Sequence, residues 1–217
     1  MANYQFPVDG KKGKDWKITS PFGWRTHPTS GKKSHHNGVD IWTAPNVYNE
    51  AFAKGVVIFA GPSKAKKADG SLGGFGHHVM ILHNIDKQLY VSVYAHMVEG
   101  TLQVKKGDKV VAGTVLGRMG ASGDVTGKHL HFEIYKGKKY AWSANGTNFV
   151  DPIAFIEALI AKDKVVSAAP KPTPADAPVA PVAVHGPAKK PVAKKPVAKP
   201  VVKPAVAKPT GIPPKAE

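Results

Sequence analysis

Period-two alternation of apolar and polar residues recurs through the first three quarters of the chain and predicts a mainly β protein. The run Lys128 to Tyr135 is the cleanest case. Leu130, Phe132 and Ile134 share one face and His129, His131 and Glu133 the other, because successive strand side chains point to opposite sides. Leu89 to His96 alternates likewise, so that Tyr90, Ser92, Tyr94 and His96 form the polar face of a half-buried strand. Further strands are predicted at Gly55 to Ala60, His77 to His83 and Val110 to Arg118, the last interrupted by Gly113. Val39-Asp40-Ile41-Trp42 reads as the start of another strand, presenting Asp40 from the strand edge and His36 from a loop. One helix is predicted after Asp151, which can cap it, with Pro152 at its first position. Ile153, Phe155, Ile156, Leu159 and Ile160 form its apolar stripe, expected to pack on the sheet. Phe22, Trp24, Trp42, Phe59 and Trp142 are expected to pack as well, with Trp24 and Tyr94 as candidates to line a groove. Gly70 to Gly76 has neither a GK[ST] ending nor a following helix. It is read as a flexible loop that could wall such a groove, not as a phosphate cradle.

Composition divides the 217 residues into a body, 1–164, and a tail, 165–217. From Val165 on there is no aromatic residue, and Pro, Ala, Val and Lys dominate. Such a segment buries too little apolar surface to offset its ordering entropy, so the tail is expected to be disordered and rich in polyproline II. Its imperfect Pro-Val-Ala-Lys repeats, as at Pro191 to Lys194 and Pro196 to Lys199, resemble a stiff basic spacer. The tail carries nine lysines against Asp176 and Glu217, a net of +7 that leaves +9 of the formal +16 for the body. A chain this basic is drawn to anionic polymers with a salt-dependent affinity. No aromatic side chains interleave the tail lysines, so a base-stacking platform is missing; anionic envelope polymers are expected partners and specific nucleic acid is not. No stretch approaches the roughly twenty apolar residues of a membrane span, and Met1 to Pro7 does not read as a signal peptide. The absence of cysteine excludes disulfides, cysteine nucleophiles and thiolate metal sites, leaving histidine and carboxylate as ligands.

Those ligand types cluster. A catalytic zinc ion takes three protein ligands of nitrogen or oxygen type and keeps a fourth position open. His36-Asn37-Gly38-Val39-Asp40 and His129-Leu130-His131-Phe132-Glu133 together supply two histidines and a carboxylate. Two imidazoles on one strand face stand close enough for one to bind a metal while the other serves its water. Either motif alone is weak; with His96 closing a third strand, three histidine-bearing segments form a constellation.

Four stretches in order and spacing resemble the lysostaphin-type zinc metallopeptidases that cut peptidoglycan cross-links: Ile18-Thr19-Ser20-Pro21-Phe22-Gly23-Trp24-Arg25, the HNGVD segment, Tyr94-Ala95-His96-Met97, and Gly120-Ala121-Ser122-Gly123 leading to HLHFE. The likeness covers roughly Thr19 to Ile160. It implies a two-layer antiparallel β-sandwich, a barrel-like hybrid with one C-terminal helix, and one zinc ion held by His36, Asp40 and His131. His96 and His129 are then the unliganded catalytic histidines. Zinc so held keeps a net positive charge that can acidify its water, and the two free histidines can move the protons. Some members carry a tyrosine shortly before the first ligand as oxyanion donor. Phe22 to His36 contains none, which leaves Arg25, His27 or the two catalytic histidines as substitutes. The pattern Val104 to Gly117 resembles biotinyl and lipoyl carriers, but no lysine sits at a hairpin tip in the matching context, and the related β-sandwich explains it.

The resemblance implies a monomeric metalloendopeptidase acting on bacterial peptidoglycan. With no signal peptide read at the N-terminus, a phage endolysin is expected, made in the host cytoplasm and acting at the host wall. A virion-associated lysin is the second expectation, and a metal-free, wall-binding scaffold is the rival from another class.

Overall fold

A computed structural model of the chain describes residues 2–26, 31–43 and 47–168, all within one compact unit. His27 lies outside the described residues, as does the tail expected from Val165 on except for its first four residues. The strands are β1 (Trp16–Ser20), β2 (Gly23–Thr26), β3 (Lys33–His36), β4 (Gly38–Thr43), β5 (Tyr48–Glu50), β6 (Gly55–Pro62), β7 (His77–Ile85), β8 (Gln88–Met97), β9 (Lys109–Val110), β10 (Val115–Arg118), β11 (Leu130–Lys136) and β12 (Phe149–Val150), and the helix is α1 (Pro152–Ala168). Among the described residues the main sheet runs β1-β4-β11-β8-β7-β6-β9, with β12 added beside β11. β5 pairs β10 and β2 pairs β3 in two separate ladders. Every ladder is antiparallel. The fold is mainly β, as the alternation predicts, and the main sheet stays open and does not close into a barrel.

Leu130, Phe132 and Ile134 project from β11 into the main core beside Ile41, Ile81 and Met97. Leu116 of β10 and Phe52, just after β5, share that core, so the small ladder forms a second layer over this face. α1 packs against β4 and β11. Its cap is the expected one: Asp151 Oδ1 accepts hydrogen bonds from the amides of Ile153 (2.9 Å) and Ala154 (3.3 Å). Ile153, Ile156 and Leu159 are buried, each contributing about 1.5–3 kcal/mol by area removed from water. Among the described residues no helix is long and apolar enough to cross a membrane.

Several local expectations are corrected. β8 is buried on both faces, not half-buried, because β7 and β11 flank it and both sheet faces are covered there; Ser92 and Tyr94 are wholly inaccessible. Tyr94 therefore cannot line a groove, and its hydroxyl accepts the Phe52 amide hydrogen at 3.0 Å. Trp24, Trp42 and Trp142 are 59%, 43% and 70% exposed instead of packed. Trp24 and Trp42 occupy outward strand positions, where Lys33 and Lys17 lie over their rings at 5.5 and 5.2 Å. The run Val110 to Arg118 is split between two ladders, because Gly113 turns the chain with φ 84°.

Candidate metal centre

His36 ends β3 instead of sitting in a loop, and Asp40 lies inside the sheet instead of at an edge. β4 is paired on both sides, so Asp40 stands opposite Ser20 of β1 and His131 of β11. His129 precedes β11 by one residue, yet its ring reaches the same side as His131. Gly38 makes the close approach possible: a Cβ there would collide with the Phe132 carbonyl oxygen and meet Glu133 Cγ at 2.8 Å.

One donor atom from each of His36, Asp40 and His131 lies within 4.8 Å of the others. His36 Nε2 is 3.1 Å from His131 Nδ1 and 3.3 Å from Asp40 Oδ1, and His131 Nδ1 is 2.9 Å from the same oxygen. The remaining ring nitrogens are also occupied. His36 Nδ1 donates to the Pro21 carbonyl at 2.8 Å, and His131 Nε2 donates to Glu133 Oε1 at 2.9 Å. In those tautomers each ring turns a lone pair toward the shared centre, the arrangement that carbonyls and carboxylates behind metal-binding histidines enforce. Glu133 is almost fully buried, and its second oxygen accepts the Tyr140 hydroxyl at 2.8 Å.

His96 and His129 stand beside this cluster with ring centroids 4.9 Å apart. His96 Nδ1 donates to the Ser122 carbonyl at 2.8 Å and His129 Nδ1 to the Gly127 carbonyl at 2.9 Å, which leaves both Nε2 atoms as acceptors. His129 Nε2 lies 3.5 Å from Asp40 Oδ1. His96 occupies a bulge where the pairing of β7 and β8 shifts register, with φ 63°. A non-glycine residue in that region is strained and persists where its surroundings over-determine it. Phe75 supplies part of those surroundings: its carbonyl accepts the His96 amide, and its ring stacks 5.8 Å from His131.

The electrostatics favour a cation. Asp40 is desolvated, which raises its pKa, but the close imidazoles of His129, His131 and His36 outweigh this and hold it far below the usual carboxylate range. Burial opposes charge on His131, yet Asp40 and Glu133 together push it up to about 9. Burial, reinforced by the positive charge of His131, pushes His96 down to about 3 and keeps it neutral at pH 7. The centre thus attracts positive charge and surrounds it with nitrogen and carboxylate donors, and the residues fit a metal ion.

All five candidate residues are brought together. Sequence reasoning gave no role at the centre to Tyr140, Phe75 or Ser122, which lie in loops outside the strand pattern. Glu133 was visible on the histidine face of β11, without the role of holding His131. The Gly-rich loop is tied down instead of free, since Gly74 and Asp124 bond each other at 2.7 and 2.9 Å. Arg25 is half-buried on β2.

Fold and centre together define an open β scaffold that carries a candidate metal-binding cluster of two histidines and a carboxylate. The chain matches Peptidase family M23 over residues 34–145 and belongs to that family. It is 34% identical over 117 residues to the DD-carboxypeptidase/endopeptidase Mpg of Neisseria meningitidis, covering 54% of this chain and 24% of that protein. It is 32% identical over 134 residues to the peptidoglycan DD-endopeptidase ShyA of Vibrio cholerae, covering 61% and 27%. The chain thus spans about a quarter of the length of these curated relatives. Its structure is similar to the catalytic domain of the antimicrobial peptidase lysostaphin from Staphylococcus simulans, with a TM-score of 0.51 at 25% identity, covering 65% of this chain and 92% of that one.

Proposed function

We propose that the chain is a zinc-dependent endopeptidase that hydrolyses peptide cross-links of bacterial peptidoglycan. The convergence of His36, Asp40 and His131 donor atoms within 4.8 Å, with two further imidazoles beside them, carries this reading. Family membership and the activities of Mpg and ShyA support the substrate class. In this reading His36, Asp40 and His131 hold the ion. Two imidazoles and one carboxylate are a donor set suited to zinc. When bound, zinc would supply a Lewis acid for the scissile carbonyl and lower the pKa of a water molecule.

The remaining residues handle protons and orientation. His96 and His129, each held through Nδ1 by a carbonyl, turn Nε2 toward the reacting atoms. One can accept the proton of the attacking water, and one can hydrogen-bond the oxyanion or deliver a proton to the leaving amine. Glu133, with Tyr140 behind it, keeps His131 in the tautomer that binds through Nδ1. The setting we propose is host lysis by a phage endolysin, with a virion-associated lysin as the alternative setting. The formal charge of +16 suits an enzyme drawn to an anionic envelope.

Metal content separates the roles. His131→Ala is expected to lose both zinc and activity, and His129→Ala to lose activity while retaining about one zinc per chain. Atomic absorption on the purified variants reads this directly. Zinc retained by His131→Ala but lost from His129→Ala would invert the assignment.

A further inference from the structure

We infer that Arg25 binds a carboxylate of the peptide substrate beside the metal centre, an inference that rests on the peptidase reading above. The β2–β3 register pairs Gly23 with His36 and Arg25 with Ser34. Side chains directly opposite in an antiparallel pair share a face, so Arg25 stands on the His36 side of the hairpin and Trp24 on the other. Burial agrees: Gly23 and Arg25 are half-buried, whereas Trp24 and Thr26 are exposed. Arg25 and His36 are diagonal neighbours, a relation that spans about 7–8 Å and lies within reach of a long side chain.

Arg25 has no ion-pair or hydrogen-bond partner among the described residues, and its Nε is buried. A half-buried guanidinium carries five donors and cannot shed its charge, so leaving it unmatched is costly. The nearby carboxylates are committed elsewhere. Asp40 is shared by His36, His129 and His131, and Glu133 is held by His131 and Tyr140. Space is available, because nothing lies within 4 Å of where a Cβ at Gly23 would project, directly across from His36. A planar anion entering that space meets a fork matched to carboxylate geometry. A cross-linked peptide with free carboxylates offers that group. An oxyanion donor would act on the reacting carbonyl during bond cleavage. A carboxylate receptor selects the substrate before cleavage, so the two roles separate in KM and kcat.

The test uses the zinc-loaded full chain and synthetic cross-linked peptides that differ only in one carboxylate, free or amidated, each carboxylate being amidated in turn. The wild type is expected to favour one free acid over its amide by about 10- to 100-fold in kcat/KM, the size of a charge-assisted hydrogen-bonded pair, with the difference carried mainly by KM. In Arg25→Gln the acid-to-amide ratio should fall to about one. Arg25→Lys should keep part of the preference, since it retains the charge without the fork, and it serves as the informative variant if Arg25→Gln does not fold. No preference in the wild type at any carboxylate, or an Arg25→Gln that lowers kcat on acid and amide alike with the ratio preserved, would overturn the role. If neither peptide is cut, the peptidase reading fails first. Calorimetric binding of acid and amide then still decides about Arg25, and equal affinities count against it.

Discussion

His131 stands between two carboxylates, and this sets how the centre handles charge. Asp40 meets its Nδ1 and Glu133 its Nε2, each at 2.9 Å. A carboxylate behind a metal-binding imidazole fixes the ring and raises its basicity, and losing it costs about 10- to 100-fold in metal affinity. Glu133→Gln keeps the shape and removes the charge. It is expected to weaken zinc binding by that factor in a competition titration with a chelating dye, while the fold persists; an unchanged affinity would reduce Glu133 to a packing residue. At this scale much of the centre was legible in the sequence. HNGVD and HLHFE showed their candidate donors because short-range spacing on strands dictates which side chains share a face. Tyr140 and Phe75 were not legible, because each reaches the centre through tertiary folding that no local period encodes.

Among the elements, β8 carries the most demanding geometry. Its alternation was legible, but the bulge that delivers His96 was not, since a bulge leaves no mark on an apolar pattern and depends on what the neighbouring chain offers. Here the offer is Ser122. Its hydroxyl donates to the Met97 carbonyl at 2.7 Å and accepts the His77 amide hydrogen at 2.9 Å, while its own carbonyl holds His96 Nδ1. Ser122 is thus a positioning residue, acting through His96. Removing the hydroxyl in Ser122→Ala frees the bulge from the loop. A misplacement of about 1 Å can cost up to about 100-fold in rate. We expect kcat to fall at least tenfold, with KM and zinc content retained and activity partly restored in Ser122→Thr. Equal loss of zinc and of activity would instead make Ser122 a general structural support. The strand assignments around Asp40 differ from the expectation for a related reason: Val39 to Trp42 reads as a strand, but only the pairing of β1 and β11 on its two sides makes it an interior one.

For the whole molecule, acid sensitivity follows from buried imidazoles remote from the centre. His83 is fully buried, bonded to the Lys54 carbonyl at 2.8 Å and to Ser92 Oγ at 2.7 Å, and burial pushes it down to about 4. In the unfolded chain a histidine titrates near 6.5, so between about 6.5 and 4 the unfolded state binds the extra proton and stability falls as pH falls. The loss from this residue is about 3 kcal/mol on completion and stops below about 4, where both states are protonated. Urea unfolding at pH 7 and pH 4.5 should show this loss, and His83→Asn should show much less of it. The mainly β class and the capped helix α1 were legible in the composition and periodicity of the whole chain. The open main sheet and the exposed tryptophans were not, because layer closure and side-chain exposure are decided by which elements meet. The central claim is that this centre cuts peptide bonds of the bacterial wall. It is tested most directly by mass spectrometry of fragments released from purified peptidoglycan of known cross-link chemistry. The account predicts new amino termini at the cross-links, absent with His131→Ala; new glycan ends without new amino termini would contradict it.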